Sequence, residues 1–106
     1  MKVKTITVEE LKLLKPEEYN LIDIREEWER VENGFIPLAE HIPMDEILLV
    51  QDMLVKSDCK VIFYCRSGRR SSAVNLHLTH FYNAENTYNL EGGFNEWELI
   101  NNKENG

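Results

Sequence analysis

A chain of 106 residues is the size of one domain, and it can bury roughly two-thirds of the surface that it exposes unfolded without needing disulfides or a structural metal. With 42% hydrophobic and 29% charged residues it reads as an ordinary globular protein; no apolar run nears the ~18–20 residues that cross a bilayer, and Met1-Lys2-Val3-Lys4-Thr5 lacks the apolar stretch of a secretory signal, so a soluble, cytoplasmic domain is expected. Twelve Lys and Arg against nineteen Asp and Glu give a net charge of −7, which argues against nucleic acid as a partner, since phosphate binding needs a basic face.

The pattern alternates strand and helix. Val3–Ile6 is a short β-branched run, and Thr7-Val8-Glu9-Glu10 has the spacing of a capping box that opens a helix. Leu11, Leu13 and Leu14 give that helix an apolar face until Pro16 stops it. Tyr19–Ile24 reads as a buried strand, and Glu26–Val31 as a short helix closed by Asn33-Gly34. Between Ile36-Pro37 and Ile42-Pro43 the prolines allow only a loop around a short edge strand. Met44–Val55 is helical, with Ile47, Leu48, Met53 and Leu54 toward one side. Lys60–Tyr64 is a continuous apolar run of the kind that a parallel sheet buries on both faces. A helix then runs to about Phe81 with Ala73, Leu76 and His80 inward. Thr87–Leu90 is the last strand, Gly92-Gly93 a turn and Phe94–Ile100 the closing helix. Residues 1–100 form one domain with no repeat or linker, and the polar tail 101–106 is expected to fray. Five strands interleaved with helices predict an α/β fold, a mainly parallel sheet covered on both faces.

In such sheets ligands sit beyond the carboxyl ends of the strands. There the sequence reads Cys65-Arg66-Ser67-Gly68-Arg69-Arg70-Ser71. Gly68 lets the loop curl, and a curled loop entering a helix N-terminus aims successive N–H groups inward as an anion-binding nest. Cys65 lies where that field would stabilise a thiolate; pKa values of ~3.5–7.5 occur in such settings. A buried cysteine is commonly just a small hydrophobe, but cations at a helix N-terminus oppose its dipole unless an anion sits between them. Three arginines within five positions of an acidic chain therefore point to a small anionic ligand. The second cysteine, Cys59, lies across the strand, roughly 20 Å from Cys65. A disulfide needs Cα atoms within about 7 Å, so the two do not pair.

The loop resembles the active-site loop of single-domain rhodaneses, the thiosulfate sulfurtransferase family. Three more motifs follow the family in order: Leu21-Ile22-Asp23-Ile24-Arg25-Glu26, Gly34-Phe35-Ile36-Pro37-Leu38-Ala39-Glu40-His41-Ile42-Pro43, and Leu90-Glu91-Gly92-Gly93-Phe94-Asn95-Glu96-Trp97. The resemblance spans nearly the full length. It implies a rhodanese-like fold over residues 1–100 and a sulfurtransferase that carries sulfur as a Cys65 persulfide. The donor would be a small anion such as thiosulfate, and the acceptor cyanide or a thiol, including one on a thioredoxin-like or other protein. Backbone N–H groups of Arg66, Ser67, Gly68, Arg69, Arg70 and Ser71 would hold the terminal sulfur and the substrate's charge. Arg66 and Arg69 would draw the dianion in, while Arg70 braces the loop from within. No cofactor, metal or membrane is implied.

Two residues depart from the family pattern: Phe35 stands where His is usual and Leu38 where Gly is usual. Cysteine phosphatases on the same fold have Cys-x5-Arg; Cys-x4-Arg here suits sulfur better than a phosphoryl group, which disfavours the phosphatase and arsenate reductase readings. A binding or persulfide-carrier module is the other alternative, although such non-catalytic members usually lack the nucleophile. Asp23 and Arg25 should lie near the crevice, either facing it or paired with each other. Trp97 is expected in the core, and Trp28 at the crevice rim or over the sheet edge. His41, His77 and His80 do not share a metal-ligand spacing.

Overall fold

The computed structural model describes residues 3–105. Its strands are β1 (Thr5–Ile6), β2 (Tyr19–Asp23), β3 (Glu40–His41), β4 (Lys60–Tyr64) and β5 (Thr87–Leu90). They form one sheet in the order β1-β5-β4-β2-β3, and the pairings are parallel, so the apolar β4 takes the centre. Register aligns Asp23 with Tyr64 and Phe63 with Asn89, which brings three strand ends to one rim of the sheet.

Alternation along β4 divides the core. Ile62 and Tyr64 point to one face, where they meet Val8 and Leu11 of α1 (Val8–Leu13) and Phe94 of α5 (Gly93–Asn105). Val61, Phe63 and then Cys65 point to the other, against Ile47 of α3 (Ile47–Val55) and Val74 and Leu78 of α4 (Arg69–Tyr82). The same two-residue period therefore delivers Cys65 to the side of the sheet from which α4 starts. The fifth helix, α2 (Glu27–Asn33), follows β2 and ends at Gly34 with φ +85°. Thr7 and Glu10 form the expected capping box, each accepting the other's backbone N–H at 3.0 Å.

Three expectations need correction. The inner face of α4 is Ser71, Val74, Asn75 and Leu78, not Ala73, Leu76 and His80. Two of those four are polar, with Asn75 Nδ2 donating to the Ser71 carbonyl at 2.8 Å and the Ser71 hydroxyl to Asn89 Oδ1, so an apolar stripe is the wrong signal. In α3 only Ile47 is buried, whereas Leu48 and Met53 face solvent; the segment is apolar all round, and its first three residues, Met44–Glu46, form a 3-10 turn. The closing helix continues through Asn105, because Lys12 of α1 bonds Asn101 Oδ1 and Glu104 Oε2 at 2.6 Å each. Gly106 lies outside the described residues. Among the described residues no helix is long and apolar enough to cross a membrane.

Candidate active site

Cys65 follows directly on the central strand, and its side chain is buried at the base of the loop that leads into α4. The chain reverses at Gly68, whose φ of +100° is a conformation that side chains rarely adopt. That reversal turns the Gly68 N–H back onto the sulfur, 3.1 Å from Cys65 Sγ. Burial alone pushes the thiol up. The Ser71 hydroxyl and the N–H groups of Ser71, Gly68 and Ser67 outweigh it, and Cys65 is held below the ordinary thiol value.

The loop is kept in this shape from behind. The first N–H groups of α5 take its carbonyls: Phe94 N–H donates to Cys65 O at 2.9 Å and Asn95 N–H to Arg66 O at 3.0 Å. With the carbonyls held there, the loop's N–H groups are left for the sulfur. A Cβ on Gly93 would stand 2.5 Å from Cys65 O and 2.8 Å from Arg66 O, so this seat requires glycine. Gly92-Gly93 is thus more than a turn. From β5, Asn89 Nδ2 donates to Gly68 O at 3.2 Å while Asn89 Oδ1 accepts the Ser71 hydroxyl at 2.5 Å.

The three arginines differ in exposure and in partners. Arg66 and Arg69 are exposed, and among the described residues neither is in a salt bridge. Arg70 does brace the loop, but against a partner outside it: both its terminal nitrogens donate to the buried Glu29 of α2, at 2.8 and 2.9 Å. Hydrogen bonding to Arg70 holds the Glu29 carboxyl below its usual range against the opposing effect of burial. Hydrogen bonding to Glu29 raises Arg70 against the effect of burial, and Cys65 adds a smaller contribution in the same direction. Ser67 is exposed and Ser71 buried, which leaves Arg66, Ser67 and Arg69 at the mouth and Cys65, Gly68 and Ser71 within.

Asp23 and Arg25 are a structural pair. Both are buried; Arg25 donates to the two Asp23 oxygens at 3.0 and 2.7 Å and to Gly34 O at 2.8 Å. Its guanidinium lies over the rings of Phe94 and Tyr64, 4.4 and 5.4 Å from their centroids. Burial raises Asp23, but Arg25 and the Tyr64 hydroxyl lower it further than burial lifts it. Tyr64 also accepts the Ile36 N–H, so a single hydroxyl joins β4, β2 and the loop after α2. Glu29, Asn89 and Tyr64 were not singled out as site residues by sequence. The Glu26-x-x-Glu29 capping spacing and a lone Asn in a buried strand were the available signals.

Cys59 sits half-buried at the far end of β4, with Sγ 3.5 Å from Glu17 O, and both cysteines are free thiols. Trp97 packs on the first core as expected, whereas Trp28 is 57% exposed on α2. Phe35 is half-exposed beneath the Arg30 guanidinium, and Leu38 takes φ +72°. His41 Nε2 bonds Arg25 O, and His77 Nε2 bonds Gln51. Among the described residues no three His, Cys, Asp or Glu side chains are grouped to hold a metal ion.

The rhodanese-like domain family matches residues 7–99. The chain is 41% identical over 100 residues to "Putative sulfurtransferase YtwF" of Bacillus subtilis (strain 168), covering 92% of this chain and 93% of that one. It superposes on the crystal structure of a rhodanese-like domain protein from Staphylococcus aureus with a TM-score of 0.75, 33% identity and coverage of 90% and 91%. A NAD-dependent persulfide reductase from A. fulgidus contains the same fold, with a TM-score of 0.66 and 28% identity over 90% of this chain and 16% of that one. With the family model matching residues 7–99 and the B. subtilis relative 41% identical over nearly its whole length, the chain belongs to the rhodanese-like domain family.

Proposed function

We propose that this domain is a sulfurtransferase that carries sulfane sulfur as a persulfide on Cys65. The observation that carries the reading is the buried Cys65 sulfur facing backbone N–H groups, with its pKa lowered, beneath two exposed arginines. A thiolate of this kind needs no general base at the moment of attack. It attacks the outer sulfur of a donor such as thiosulfate; the new S–S bond forms as the old one breaks, and sulfite leaves with the electron pair. The persulfide's terminal sulfur then carries the negative charge, which the loop's N–H groups suit as they would any anion. A nucleophilic acceptor, cyanide or a thiolate on a small molecule or a thioredoxin-like protein, takes that sulfur and returns the pair to Cys65 Sγ. The B. subtilis relative's name supports the transferase class, and the A. fulgidus protein, a persulfide reductase, carries this fold in 16% of its chain.

Mass measurement of the intact protein after thiosulfate treatment tests the reading. One added sulfur, removed by a reductant, is expected in the wild type and in Cys59→Ser, and none in Cys65→Ser. Thiosulfate:cyanide turnover should follow the same order. Equal loss in both variants, or an adduct that survives in Cys65→Ser, overturns it.

A further inference from the structure

Ser71 has one hydroxyl hydrogen and two acceptors within reach. Its Oγ lies 2.5 Å from Asn89 Oδ1 and 3.5 Å from Cys65 Sγ. The Asn89 amide cannot turn to ease this competition, because its Nδ2 is engaged with Gly68 O at 3.2 Å. All three side chains are buried, which limits the donors that can replace the hydroxyl. Distance favours the amide oxygen, whereas charge favours a thiolate, since hydrogen bonds to ions are about twice as strong as neutral ones. The hydroxyl is therefore contested.

We infer that Asn89 is a positioning residue which tunes the nucleophile by competing with Cys65 for the proton donor of Ser71. The consequence follows from thiol chemistry: a thiolate given every available hydrogen bond is easily formed but sluggish, because nucleophilicity falls as basicity falls. By holding the hydroxyl, Asn89 leaves the sulfur less stabilised and more reactive in attack. When an acceptor removes the terminal sulfur and Sγ regains its electron pair, the same hydroxyl is one bond rotation from the departing thiolate. Around Cys65 the charged neighbour is Arg70 of α4, itself held by Glu29 of α2; Asn89 is the contribution from β5, and α5 donates backbone N–H groups to the loop's carbonyls. The inference rests on Cys65 as the reacting thiol of the proposed function, but its test needs no sulfur transfer.

The test is the pH dependence of Cys65 alkylation by iodoacetamide in a Cys59→Ser background, which leaves one thiol to report. Asn89→Leu should free the Ser71 hydroxyl, raising the thiolate fraction on the acid limb roughly threefold while lowering the limiting rate at high pH by roughly 1.5- to 2-fold. Ser71→Ala should shift the limb the opposite way, and adding Asn89→Leu to it should produce no further shift of the first kind. If Asn89→Leu is not accommodated, Asn89→Ala in the same cycle is read identically. An Asn89 effect that is absent, opposite in sign, or equal with and without the Ser71 hydroxyl overturns the inference. Failure of the thiosulfate adduct would overturn the sulfurtransferase reading and leave this cycle standing.

Discussion

Glu29 shows how much a single buried carboxylate can organise. It lies on a different helix from the cysteine loop, yet it takes both terminal nitrogens of Arg70 and the Glu26 N–H. Glu29→Gln keeps the shape but removes the charge, so Arg70 loses its counter-ion and the loop its outer anchor. Glu29 is the buried partner and Arg70 is 37% exposed, so water takes up part of the loss on the arginine's side. The sign with pH is fixed by the direction of the shift. A carboxyl whose folded pKa is depressed stabilises the fold above its unfolded value of about 4.3 and loses that contribution as pH falls through the lower folded value. Denaturant melts should therefore show Glu29→Gln less stable than wild type near neutrality, with the gap closing below about pH 4. A constant gap across pH would mean that the ion pair is not what Glu29 contributes.

At the scale of elements, two backbone positions make opposite predictions. Gly93→Ala would drive a Cβ to 2.5 Å from Cys65 O, where the obstacle is backbone that cannot swing aside, and at φ +59° besides. A loss of about 2–3 kcal/mol is expected, together with a Cys65 whose alkylation slows because the loop has left its seat. Leu38, by contrast, already holds φ +72° with 72% of its surface exposed. Leu38→Gly removes strain and almost no packing, for a gain of up to about 1 kcal/mol after the glycine's extra unfolded entropy is counted. Thermal melts of the two variants should move in opposite directions.

The contrast is half-visible in the sequence: Leu38 departs from a usual glycine, while Gly93 reads as a turn residue. The sheet was legible because β4 and β5 are uninterrupted runs between strong breakers, and their bounds, Lys60–Tyr64 and Thr87–Leu90, match the reading. The proposed nucleophile was legible because cysteine, glycine and arginines share one loop. What escaped was whatever depends on a second element: Asn89 from β5, Glu29 from α2, and the polar inner face of α4. Hydrogen-bonding partners far apart in sequence leave no periodic signature. The extra turn of α5 escaped for the same reason, since its support is Lys12 on α1.

The whole molecule sets a last constraint. A net charge of −7 would repel the dianionic donor proposed above, and in that proposal the attraction comes from Arg66 and Arg69 at the mouth. Range decides the contest. The body measures 42 × 29 × 25 Å, so many of its carboxylates lie well beyond the screening length of about 8 Å at physiological salt. A guanidinium touching the substrate does not. Arg66→Ala and Arg69→Ala should each raise the KM for thiosulfate roughly 2- to 5-fold, the worth of one exposed ion pair, with kcat little changed because neither touches the sulfur-bearing base of the loop. Salt should raise KM in the wild type and act more weakly in each variant, since part of the attraction that salt screens has already been removed. Steady-state kinetics over a range of salt concentrations separates the two arginines from the global field. Unchanged KM in both variants and no response to salt would mean that the donor is recruited by the backbone N–H groups alone.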